Sequence, residues 1–207
     1  MNAVPVKVGD IYTIPAGRLH AVGKGIILYE IQNHSDIAFR LYDWDRNALR
    51  KEDGIPDSDG VFEIADPNPA SIQKIQKVHI KSGENRILYL VITPRFMLRR
   101  LVIKDALEMS FRGNRVAVYT CLKGSGWLRW GLTDIYINIQ PYQSVIVPAI
   151  PEYLYFESEK GFEVLETSLP DLGGGALEEM AEWGVSKEEV IALGGADYGR
   201  ILKECLT

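Results

Sequence analysis

One stretch of this 207-residue chain occurs twice. Val6–His20, VKVGDIYTIPAGRLH, aligns without gaps on Ile139–Tyr153, IQPYQSVIVPAIPEY, at one constant offset. In both copies an apolar run ends in Pro-Ala, at Pro15-Ala16 and Pro148-Ala149. A repeat of this kind is the trace of a duplicated unit, so the chain should build two related pieces rather than one continuous layer. The copies differ where chemistry is concerned. Five residues after the proline stands His20 in the first and Tyr153 in the second.

The text around the repeats is written for strands. Short apolar runs such as Ile26–Ile31, Ile87–Ile92 and Ser144–Val147 lie between clusters of Gly, Pro, Asn and Asp, which favours an antiparallel β sandwich or barrel over residues 6–170. Residues 47–70, with DGIPDSDG at their centre, read as a polar excursion, and the acidic cluster lacks the spacing and closing glutamate of a calcium loop. After Pro170 the texture changes. Gly173-Gly174-Gly175 is a flexible break, and Ala176–Trp183 and Ser186–Leu193 follow at helical spacing. Gly184 is placed to end the first helix, and Ser186 with Glu189 forms a capping box for the second. A third piece, Tyr198–Leu206, puts Ile201, Leu202 and Cys205 on one stripe. These helices read as packing elements, docked on the barrel or on a second subunit.

Composition removes whole classes of function. A net charge of -5 argues against a nucleic-acid surface, which needs a basic stripe. The basic residues of Arg95–Arg100 alternate with apolar ones and read as the solvated face of a strand. No apolar run has the length of a membrane span, and MNAVPVKVGD is not the pattern of a signal peptide. Cys121 and Cys205 have no redox or metal spacing and read as free thiols in a reducing cytosol.

Strand alternation groups Leu28, Glu30 and Gln32 on one face, and Arg40 with Tyr42 on the next strand. The Asn33-His34-Ser35-Asp36 turn folds the two strands together, so Glu30 and Arg40 can meet across the ladder. That meeting has two readings, a buried ion pair or a polar site. His34 reads as surface and His79 as structural. His20 alone cannot hold a metal, since a catalytic zinc needs about three protein ligands.

The pattern of apolar strand, Pro-Ala-Gly, variable pair and histidine is similar to the second half of a cupin motif. The whole stretch Gly9–Arg46, continuing through LYEIQ, SD and YDWDR, resembles type I mannose-6-phosphate isomerases. CLKGSGWLRW and VIVPAIPEYLYF resemble the second, C-terminal cupin of those enzymes. The resemblance covers residues 6–168, and residues 171–207 match nothing in the family. It implies a mostly β, double-cupin (jelly-roll) protein with a partial first barrel, a complete metal-free second barrel and a short helical appendage. The implied boundaries are 1–46 for the distal half of the metal-site cupin, 47–80 for connecting segments, 81–170 for the second cupin and 171–207 for the helices.

The resemblance further implies aldose–ketose isomerisation of mannose 6-phosphate and fructose 6-phosphate at a zinc site. His20 falls on a zinc ligand of the family. Glu30 and Arg40 fall on catalytic-pocket residues, and Asp36 and Arg46 on substrate-binding ones. The remaining zinc ligands would lie on strands before residue 1, so an N-terminal segment, a complementing polypeptide or a homo-oligomer would have to complete the site. The alternative is a non-enzymatic cupin, self-associated and serving as a sugar-phosphate-binding or structural module.

Overall fold

The computed structural model describes residues 3–35, 63–66, 74–110, 115–131, 135–149, 153–172 and 175–206. The chain divides into two compact units, Met1–Pro5 with Ile14–Ile72, and Val6–Thr13 with Gln73–Thr207.

The second unit is built on strands β1 (Val78–Ser82), β2 (Asn85–Ile92), β3 (Met97–Ile103), β4 (Ala106–Ser110) and β5 (Ala117–Gly124). They are followed by β6 (Gly126–Trp130), β7 (Tyr136–Ile139), β8 (Ser144–Val147), β9 (Tyr153–Glu157) and β10 (Phe162–Ser168). A larger sheet has the order β1-β2-β3-β10-β5-β8 and a smaller one β4-β9-β6-β7. From β3 onward, β3, β5, β8 and β10 share one sheet while β4, β6, β7 and β9 share the other. Eight strands dealt out in that way make a double-sheet jelly roll of the cupin type. β1 and β2 extend the larger sheet beyond β3.

The strands form where alternation supplies a buried stripe. Met97, Arg99, Leu101 and Ile103 of β3 point between the sheets, as do Phe162, Val164, Glu166 and Ser168 of β10. From the smaller sheet Leu107, Met109, Leu128, Leu154 and Phe156 meet them in one core. The Tyr119 and Phe156 rings pack edge to face with centroids 5.2 Å apart. The opposite face of the larger sheet is not left wet. Leu88, Leu90, Val102 and Leu165 form a second apolar cluster there, with Ile11, Leu98 and Leu122 against it. Coverage on both faces explains why β2 reads ILYLVI without polar interruptions.

Three helices follow, α1 (Gly175–Glu182), α2 (Lys187–Leu193) and α3 (Gly195–Cys205). Gly184 ends α1 as expected: at φ +76° its backbone turns left-handed, and the Val185 N–H donates to Met180 O at 3.0 Å. The expected capping box is formed, with Ser186 N–H donating to Glu189 Oε2 at 2.9 Å and Glu189 N–H to Ser186 Oγ at 3.3 Å. Met180, Val190, Leu193 and Leu202 join the main core. The third stripe departs from the sequence reading. α3 begins at Gly195, its buried positions are Gly199 and Leu202, and Cys205 is exposed.

Within the same unit, Val6–Thr13 is tied down by its own polar groups. Asp10 forms an ion pair with Lys74 at 2.8 Å, Tyr12 makes a β-bridge with Lys74, and Thr13 Oγ1 donates to Asp197 at 3.1 Å. The Lys74 ammonium, then the Lys7 N–H, hold the Asp10 carboxyl below the usual carboxylate range.

Candidate functional site

Pro15-Ala16-Gly17-Arg18 closes on itself. The Arg18 N–H donates to Pro15 O at 3.2 Å, and Gly17 sits at φ +82°, the pattern of a type II turn. A Cβ at Gly17 would lie 2.7 Å from Ile64 O, so only glycine fits. The turn also receives Asp66, whose N–H donates to Gly17 O at 2.9 Å and whose carboxylate lies 3.5 Å from Arg18.

His20 emerges from this turn, exposed, with Nδ1 3.0 Å from Arg18 O. A carbonyl only accepts, so Nδ1 carries the proton and Nε2 is left with its lone pair outward. This is how a ligating imidazole is oriented by its other nitrogen. Among the described residues no three His, Cys, Asp or Glu side chains are grouped to hold a metal ion. The described part of the chain thus supplies one suitable ligand and not a zinc site.

Glu30 is described and exposed. Asp36, Arg40, Arg46 and nearly all of the polar excursion lie outside the described residues, so the expected Glu30–Arg40 approach has no coordinates to report. The strand expected at Ile26–Ile31 is not formed: among the described residues of the first unit there is no strand. A ladder needs a neighbour for its N–H and C=O groups. Ile26, Ile27, Leu28 and Tyr29 stand exposed instead, Ile27 at 98%.

Backbone geometry gives the repeat physical substance. Lys7 N–H donates to Asp10 Oδ2 at 2.8 Å and Asp10 N–H to Lys7 O at 3.0 Å. In the second copy Gln140 N–H donates to Gln143 Oε1 at 3.0 Å and Gln143 N–H to Gln140 O at 3.0 Å. Gly9 and Tyr142 occupy the left-handed position of these two turns. A short insertion later the copies meet again at Lys24-Gly25 and Lys160-Gly161, with glycine φ of +81° and +78°. Counting on from those glycines, Glu30 corresponds to Glu166.

Glu166 belongs to the constellation that sequence reasoning missed. On the ladder of the larger sheet, Tyr89, Arg99, Glu166 and Tyr119 stand directly opposite one another on β2, β3, β10 and β5. All four point into the jelly roll and are buried. Arg99 donates through Nε and Nη2 to Glu166 at 3.2 and 2.7 Å, and through Nη1 to Tyr89 Oη at 3.1 Å and Glu179 Oε1 at 2.7 Å. Arg115 Nη2 lies 3.7 Å from the same Glu166 carboxylate, and Ser168 Oγ donates to it at 3.3 Å. Burial alone would lower the Arg99 pKa, but Glu166, Tyr89 and Glu179 hold it well above its ordinary value. Burial pushes the Tyr89 phenol up to about 12.

The solvated-face reading of Arg95–Arg100 is therefore corrected. It describes exposed Arg95, while Arg99 is 1% exposed. The signal lay in the alternation, because Arg99 shares its stripe with Met97, Leu101 and Ile103, and a cation on an apolar stripe requires a carboxylate.

No family model matches the chain. Over 135 residues, 64% of this chain, it is 30% identical to the mannose-6-phosphate isomerase of Streptococcus mutans. The chain is homologous to the mannose-6-phosphate isomerases. It is also 50% identical over 46 residues to mannose-6-phosphate isomerase ManA of Bacillus subtilis. The crystal structure of the mannose 6-phosphate isomerase from Bacillus subtilis aligns with 63% of the chain at 21% identity and a TM-score of 0.48, covering 39% of that protein. The chain spans 41% of the length of the Streptococcus isomerase and 15% of that of ManA. For this isomerase relative, the complete jelly roll is the copy with Tyr153 in place of His20.

Proposed function

We propose that the chain forms the C-terminal portion of a mannose-6-phosphate isomerase-type enzyme. In this reading it interconverts mannose 6-phosphate and fructose 6-phosphate once the rest of the first jelly roll is supplied, by a preceding segment or a complementing polypeptide. The observation that carries the reading is the 30% identity over 135 residues to an isomerase. His20 supports it, because its Nδ1 is engaged and its Nε2 is turned outward.

Glu30 would take the proton from C2 of the aldose, and the electron pair would form the C1–C2 double bond of an enediol as O1 gains a proton. Return of a proton to C1 and loss of the O2 proton would give the ketose. Arg40 would stabilise the developing oxyanion, Asp36 would bind substrate hydroxyls, and Arg46 would take the phosphate with its guanidinium fork. Zinc is the cofactor the resemblance implies. With His20 as the single ligand among the described residues, no step is drawn through it.

The test is a coupled assay of mannose 6-phosphate turnover, with the chain alone and with the N-terminal portion of the Streptococcus isomerase. Activity in the mixture that disappears in His20→Ala and Glu30→Gln supports the reading. A well-folded mixture with neither turnover nor bound zinc overturns it. The second reading, a non-enzymatic sugar-phosphate-binding or structural cupin, draws on Tyr153, which shows that this chain already keeps one jelly roll without the histidine. In that case sugar-phosphate binding would persist without turnover.

A further inference from the structure

The buried row in the second jelly roll has an uneven charge balance. Residues of the jelly roll itself contribute two guanidiniums, Arg99 and Arg115, and one carboxylate, Glu166. Glu166 is fully engaged, with Arg99 on both oxygens, Ser168 at 3.3 Å and Arg115 at 3.7 Å. Arg99 Nη1 is aimed away from Glu166, and its anion is Glu179 at 2.7 Å, delivered from outside the jelly roll by α1. Glu179 also differs in access: its side chain is 20% exposed, against 1% and 0% for Arg99 and Glu166. It can swing to solvent by side-chain rotation alone, while Met180 stays buried and holds the helix in place. The row further contains a spare donor. Tyr119 Oη, fully buried opposite Glu166, has no hydrogen-bond partner among the described residues.

We infer that the Arg99 Nη1 edge, with Tyr89 Oη beside it, is a binding site for a small carboxylate, and that Glu179 fills it as an internal stand-in. The surplus without Glu179 is a single positive charge, which one carboxylate neutralises and a phosphate dianion would overshoot. Low dielectric around the row makes that match count. A free carboxylate would displace Glu179 into water and loosen the hold of α1 on the jelly roll, so the site couples ligand to the C-terminal helices.

Acetate is the probe and the full chain the sample, at constant ionic strength with chloride as the balancing anion. Thermal unfolding and calorimetric titration compare wild type, Glu179→Ala and, as a control on the same helix, Glu178→Ala. Glu179→Ala should bind acetate saturably and at least about tenfold more tightly than wild type, while Glu178→Ala behaves as wild type. Adding Tyr119→Phe to Glu179→Ala should weaken that binding. Acetate acting no better than chloride on folded Glu179→Ala overturns the site, and inorganic phosphate binding more tightly than acetate overturns the ligand class. If Glu179→Ala does not fold, Glu179→Gln serves, and an acetate affinity equal to that of wild type overturns the inference.

Discussion

Arg99 stands directly opposite Glu166 on the β3–β10 ladder, and its Nη2 lies 2.8 and 2.7 Å from the two carboxylate oxygens. Both side chains are closed off from water. Removing one partner strands the other's charge in the core, so Arg99→Met alone should cost about 3–5 kcal/mol. The double change Arg99→Met with Glu166→Leu removes both charges and should recover much of that loss. Urea unfolding of the three proteins checks this, and a double variant as unstable as the single one contradicts it.

Gly17→Ala probes the turn that delivers His20. The added methyl would sit 2.7 Å from Ile64 O at a backbone φ of +82°. The turn must rearrange, at a cost above ~1 kcal/mol to the first unit. In a zinc-loaded reconstituted complex the metal affinity should fall with it, by about 10- to 100-fold, as when the group orienting a ligand is lost. Metal competition with a chelator reads the effect. Unchanged affinity would separate the turn from the metal site.

Tyr142 pays a backbone penalty that its duplicate avoids with Gly9. Its φ is +68° and its ring is 84% exposed, so almost no burial offsets the strain. Tyr142→Asn should stabilise the jelly roll by up to about 1 kcal/mol, because asparagine tolerates this conformation. Tyr142→Val should destabilise it. Thermal unfolding midpoints in opposite directions are the expected result.

Helix α2 should respond to acid. The Ser186 N–H and then its hydroxyl hold the Glu189 carboxyl below its ordinary value. A group depressed on folding contributes stability that is complete above its unfolded pKa and is lost as pH falls through the folded one. Amide exchange in α2 should therefore speed up between about pH 6 and about pH 3, and Glu189→Gln should flatten that dependence. Ser186→Ala should cost about 1 kcal/mol at neutral pH.

The jelly roll was legible because its strands advertise themselves by alternation and its helices by caps such as Ser186 and Gly184. Two things were not. The Ile26–Ile31 segment has strand composition, but composition does not supply a neighbour to bond with, and no strand forms there among the described residues. Arg99 was taken for surface because charge usually means water. The residues that overrule this, Glu166 and Glu179, are distant in sequence and converge only through ladder register and helix docking. His20 was legible from its turn, while the meeting of Glu30 with Arg40 falls outside the described residues.

β10 is the last strand in the chain and lies in the middle of the larger sheet, between β3 and β5. During synthesis the sheet is therefore two separate ribbons until Phe162–Ser168 leaves the ribosome. Arg99 and Tyr119 must wait, one on each ribbon, for the strand that joins them. The closing step is a long-range pairing made late, the kind that slows folding and leaves unpaired edges exposed. A nascent chain stalled before β10 should be the form that chaperones hold, and the Glu166 carboxylate arrives with the strand that ends that vulnerability.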